Sequence, residues 1–84
     1  MKRKHIEIIE QAMARAQIIT ADRGYYIGQT ICRPSQKITC KLTKIDCDMG
    51  TIEYKEIKQI FPLSELFDPN IAVDEALKIQ RGLN

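Results

Sequence analysis

The stretch Ile38–Tyr54, ITCKLTKIDCDMGTIEY, decides the fold. Ile38, Cys40 and Leu42 alternate with Thr39, Lys41 and Thr43, the two-residue period of a half-buried strand. The alternation then slips: Lys44 stands where an apolar residue is due, and Ile45 and Cys47 resume on the odd positions. One extra residue in a strand has this effect, so a β-bulge is expected near Thr43-Lys44, and a bulge bends its strand. Asp48-Met49-Gly50 follows as a turn, with Gly50 suited to a left-handed conformation. Ile52 and Tyr54 then alternate with Thr51, Glu53 and Lys55. The expected product is an antiparallel hairpin of residues 38–47 and 51–57 that buries Ile38, Cys40, Leu42, Ile52 and Tyr54.

Working outward, Tyr25 to Arg33 is rich in aromatic and β-branched residues and stops at Pro34, which predicts a first strand followed by the polar loop Pro34-Ser35-Gln36-Lys37. On the other side, Ile57 to Phe61 reads as a further strand ended by Pro62. Pro62 to Phe67 reads as a single helical turn that plugs the sheet with Leu63, Leu66 and Phe67. Helices flank the strands. From Lys4 to about Ile19, Ile6, Ile9, Met13 and Ala16 recur at helical spacing, flanked by Ile8, Ala12 and Ile19, with Glu7, Glu10, Gln11 and Arg15 opposite; Asp22 and Gly24 mark the stop. Asp68 or Asn70 can cap the last helix, whose apolar positions are Val73, Ala76, Leu77 and Ile79, with Gly82 near its end.

The order is an N-terminal amphipathic helix, three to four short antiparallel strands, a helical turn and a C-terminal helix, an α+β architecture. The bent strands make either a small SH3-like barrel or a curled sheet with both helices on one face. With 84 residues the chain is one domain, 1–84. A fold of this size removes only about 60–65% of its unfolded surface from water. Its thin core makes a homodimer an expectation.

Charge is distributed unevenly. Residues 1–45 hold nine Lys/Arg and three Asp/Glu, a net of +6; residues 46–84 hold four and eight, a net of −4. No acid occurs between Asp22 and Asp46, where Arg23, Arg33, Lys37, Lys41 and Lys44 accompany Tyr25 and Tyr26. Clustered cations attract phosphate and exposed aromatics stack on bases, so these seven residues are the expected nucleic-acid contact. The acids of the second half, among them Asp46, Asp48, Glu53, Glu56 and Glu65, carry the alternative. A protein-binding adaptor or inhibitor would use them to occupy a partner's basic groove in place of phosphates.

Catalysis is poorly supplied. His5 is the one histidine and stands beside Lys4, and Ser35 and Ser64 have no base near them in sequence. Gly24 and Gly28 are not followed by the Lys-Ser or Lys-Thr of a phosphate loop. Cys32, Cys40 and Cys47 are too widely spaced for a zinc knuckle and fit buried free thiols in a reducing compartment. Asp46, Asp48 and Gly50 start like a calcium loop, but Ile57 occupies the position that needs a bidentate acid. Lys2, Arg3 and Lys4 are followed by Glu7, Glu10 and Gln11 rather than an apolar run, and no segment is long enough to span a bilayer. A cytoplasmic, non-enzymatic binding or regulatory module without metal or cofactor is expected. Its partner would be nucleic acid or a nucleic-acid-binding protein, with no role for a membrane.

Overall fold

The computed structural model describes residues 2–33 and 38–83, and for residues 2–5 and 83 the backbone alone. A long helix, α1 (Lys2–Arg23), leads into four strands, β1 (Thr30–Ile31), β2 (Cys40–Asp46), β3 (Met49–Tyr54) and β4 (Ile57–Pro62). A 3-10 turn (Leu63–Glu65) and the helix α2 (Pro69–Leu83) complete the chain. The strands form one antiparallel sheet in the order β1-β2-β3-β4. The sheet is not closed, so the α+β expectation holds and the barrel is set aside; the curled alternative placed both helices on one face of the sheet, whereas the helices chiefly meet each other.

The expected bulge is present: the β2–β3 register jumps between Leu42↔Ile52 and Lys44↔Thr51. The turn differs from expectation. It is formed by Cys47 and Asp48, with Cys47 at φ 54°, while Met49 and Gly50 belong to β3. Gly50 is there for room rather than for its dihedral freedom. A Cβ on it would come within 2.7 Å of Leu63 Cδ2 and 2.9 Å of Leu42 Cδ1, so the glycine lets the plugging turn sit directly on the sheet.

The strand expected over Tyr25–Arg33 shrinks to Thr30–Ile31. Gly24 has φ +93° and its N–H donates to the Thr20 carbonyl at 3.0 Å, which ends α1. Gly28, at φ +89°, donates to the Leu42 carbonyl, and the Gln29 carbonyl accepts from Leu42, so this loop runs beside β2 without continuing the strand.

Two buried clusters form the core. The strand cluster comprises Ile31, Cys40, Leu42, Ile52 and Leu66, with Tyr25, Phe61 and Leu63 packed on it. The helical cluster comprises Ala16, Cys32, Phe67 and Ile71, edged by Met13, Ile19 and Ala72. A bridge between Cys32 and Phe67 joins them, with backbone bonds of 2.8 and 3.1 Å. The two helices are chiefly each other's partner, and α1 meets the strand region at the 3-10 turn, so the inner sheet face is covered by Tyr25, Leu63 and Leu66 and not by helices.

Several expected core positions lie outside. In α1 the buried row is Ala12, Ala16 and Thr20, while Ile6 and Ile9 are exposed; in α2 Ile71 and Glu75 are buried and Val73 and Leu77 are exposed. Small side chains spaced four apart let the helices approach closely, and the larger apolar side chains fall beside the seam. In the hairpin Cys40, Leu42 and Ile52 are buried as expected, but Ile38 and Tyr54 remain 42% and 39% exposed because none of the described residues covers that end of the inner face. Asp68, rather than Asn70, caps α2: its Oδ1 accepts the Asn70 N–H at 2.9 Å, and Pro69 takes the first helical position. The Asp68 N–H in turn donates to Thr20 Oγ1 at 3.0 Å, which ties α2 to α1.

Candidate binding face of the sheet

The register assigns side chains to the two faces of the sheet. Lys41, Glu53 and Lys58 lie opposite one another across β2, β3 and β4, and the next row is Lys44, Thr51 and Ile60. Thr51 and Glu53 are two apart on β3, so both rows share the outer face. The bulge is what brings Lys44 there. Without the extra residue, Lys44 would point to the same side as Leu42. Lys41, Lys44 and Lys58 are all exposed, and Lys41 Nζ donates to Thr30 Oγ1 at 2.9 Å, the next residue of its row.

The remaining basic candidates are dispersed. Arg23 is exposed in the last turn of α1, where its charge suits the negative end of the helix dipole. The Arg33 guanidinium lies 4.0 Å over the Phe61 ring, a contact that draws the segment after β1 across the curl of the sheet toward β4. Lys37 lies outside the described residues. The two tyrosines have opposite roles. Tyr25 donates its hydroxyl to the Leu63 carbonyl at 2.6 Å, with the Leu66 carbonyl at 3.2 Å, and packs on the strand cluster; it is a clamp on the plugging turn and offers no stacking surface. Tyr26 is 62% exposed in the loop that runs beside β2.

The acids form no single ridge. Asp46 ends β2 and Asp48 stands in the turn that follows, and the Asp48 carbonyl accepts from Leu63 N–H, which sets Glu65 at the same end. Glu56 is in the turn at the other end of β3, and Glu53 sits between Lys41 and Lys58. The outer face therefore carries Lys41, Lys44 and Lys58 with Glu53 among them, and Asp46, opposite Met49, stands in the row beyond Lys44. Lys58, which falls in the acidic half of the sequence, belongs to this face. Cross-strand pairing is the only signal for it.

The cysteines are free: Cys32 and Cys40 are buried, whereas Cys47 is exposed in the turn, contrary to the expectation that all three fill sheet positions. Burial pushes the Cys32 and Cys40 thiols up, Cys32 further through Cys40 and Asp68, which disfavours the reactive thiolate. Burial also raises the Tyr25 hydroxyl. Among the described residues no three His, Cys, Asp or Glu side chains are grouped to hold a metal ion, and no helix is long and apolar enough to cross a membrane.

The described residues also line apolar depressions. One, of about 270 Å³, opens at the uncovered end of the inner face between Ile38, Cys40, Ile52, Tyr54, Ile57 and Gln59. Another, of about 170 Å³, runs between the helices along Ile9, Ala12, Met13, Ala72, Val73 and Ala76. Neither presents a cluster of polar groups suited to chemistry. Comparison with protein families, with curated proteins and with solved structures finds no match for this chain.

Proposed function

We propose that this protein is a non-enzymatic binding or regulatory module of the cytoplasm that contacts nucleic acid, or machinery that handles it, through the outer face of its sheet. The observation that carries the reading is the alignment of Lys41 and Lys44 by the bulge and their extension by Lys58. Tyr26, exposed in the loop beside β2, is the stacking candidate. Three unpaired cysteines suit a reducing compartment. The thin core and the opposite charges of the two halves favour a homodimer.

Three lysines set the scale of the effect. Neutralising about three phosphates gives a slope of log affinity against log salt of roughly −2 to −3. Anisotropy titrations of labelled single-stranded and duplex oligonucleotides across salt concentrations test this. Replacing Lys41, Lys44 and Lys58 together by Ala should weaken binding to every sequence and flatten the slope, and Glu53→Ala should strengthen it. Tyr26→Ala should cost about 1–3 kcal/mol on single strands and little on duplex. Absence of binding to any DNA or RNA at about 50 mM salt rejects the reading and leaves the adaptor acting through Asp46, Asp48, Glu53, Glu56 and Glu65.

A further inference from the structure

Among the described residues β4 has no strand beyond it. β4 is the last strand of the sheet and is joined to β3 by a two-residue turn, with Lys55 at φ 48° and Glu56 at φ 69°. Such a turn is closed by a hydrogen-bonded pair, here Tyr54↔Ile57, and the pairs then alternate. Ile57, Gln59 and Phe61 therefore direct their backbone groups to β3. Lys58 and Ile60 direct theirs away from the sheet, where no described residue bonds to them. Pro62 has no N–H and ends the usable edge. The strand is apolar for an edge: Ile57 and Ile60 are 63% and 65% exposed, and the hollow at Tyr54 and Ile57 opens beside it.

We propose that this edge pairs antiparallel with the same edge of a second copy, about a two-fold axis through Gln59. In that register Lys58 of each copy lies opposite Ile60 of the other. Both pairs exchange N–H···O=C bonds in both directions, giving four bonds across the axis. The neighbouring registers are worse. Sliding by one pair either sets Lys58 against Lys58, a like-charge contact, or sets Lys58 against Pro62, which cannot donate. The edge is thus self-complementary in one register, the condition for a closed dimer. Pairing joins the two sheets into one, with both sets of Lys41, Lys44 and Lys58 on the same side.

The inference deepens the self-association of the reading above and is independent of the nucleic-acid contact, so the two fail separately: oligonucleotide titration reads one and sedimentation the other. The wild-type chain should sediment as a concentration-dependent dimer, with the Lys58 and Ile60 amides gaining exchange protection as concentration rises. Ile60→Pro removes an outward N–H and none that bonds to β3. Ile60→Lys sets Lys58 against a new cation on each side of the axis. Each should weaken the dimer by roughly tenfold or more, and Ile60→Lys decides the matter if the proline variant loses its circular dichroism. A wild-type chain that stays monomeric up to about 1 mM overturns the proposal. So does a dimer indifferent to Ile60→Lys, and one abolished only by Val73→Glu with Leu77→Glu would assign the interface to the helices.

Discussion

The strand half and the helical half of this protein handle their apolar residues in opposite ways. In the strand half the large side chains Ile31, Leu42, Ile52 and Leu66 are fully enclosed, held by a glycine that makes room for them and a tyrosine hydroxyl that clamps the plug. In the helical half the enclosed row is Ala12, Ala16 and Thr20, and Ile6, Ile9, Ile18, Val73 and Leu77 stand in solvent. One half derives its stability from filled volume, the other from close approach of two helices and the bond that ties Thr20 to Asp68. The lesson concerns cost: truncating a large apolar residue of the strand cluster should hurt, and in the helical half only Phe67 and Ile71 should behave likewise, the exposed Ile, Val and Leu side chains hardly registering.

The sharpest way to break the contrast is Leu66→Ala. It empties the centre of the strand cluster and should lower unfolding free energy by about 2–5 kcal/mol in urea melts. Gly50→Ala attacks the same cluster from the opposite direction. The added methyl meets Leu63 and Leu42 inside normal contact distance, and a loss of about 1–3 kcal/mol is expected, with Leu63 displaced. Tyr25→Phe keeps the ring and removes the donor to the Leu63 carbonyl, for a loss of about 1 kcal/mol.

The buried hydroxyl and thiols also give the fold a dependence on pH. Tyr25, Cys32 and Cys40 all hold their protons more tightly when folded than when unfolded. Their stabilisation is therefore complete below the unfolded values, 9.0 for the thiols and 10.0 for the phenol, and is lost as pH rises beyond them. Urea midpoints should hold up to about pH 9 and decline above it. At the small end, Leu77→Ala should change stability by no more than about 0.5 kcal/mol. A large loss there would show that the helical half relies on its exposed big apolar residues as well.

Much of the site was legible and some was misleading. The slip at Lys44 predicted the bulge, and the bulge is what aligns Lys44 with Lys41. Tyr25 and Tyr26 are adjacent and chemically alike, so nothing local announces that one hydroxyl bonds beneath the plug while the other ring is left outside. The Lys55-Glu56 turn carries neither glycine nor asparagine, the usual mark of left-handed residues, which is why the tight hairpin between β3 and β4 leaves no sequence trace.

What the chain determines by itself is the succession of elements, the bulge, a cap at Asp68 or Asn70 and the glycine stop after α1. Each follows from a period or from turn chemistry within a few residues. Tertiary structure alone decides which apolar stripe becomes core, that Gly50 is needed for space, that Glu53 stands between Lys41 and Lys58, and that β4 is left with a free edge. These depend on what comes to lie across from a residue, and pairing partners far apart in the chain write no periodicity into it.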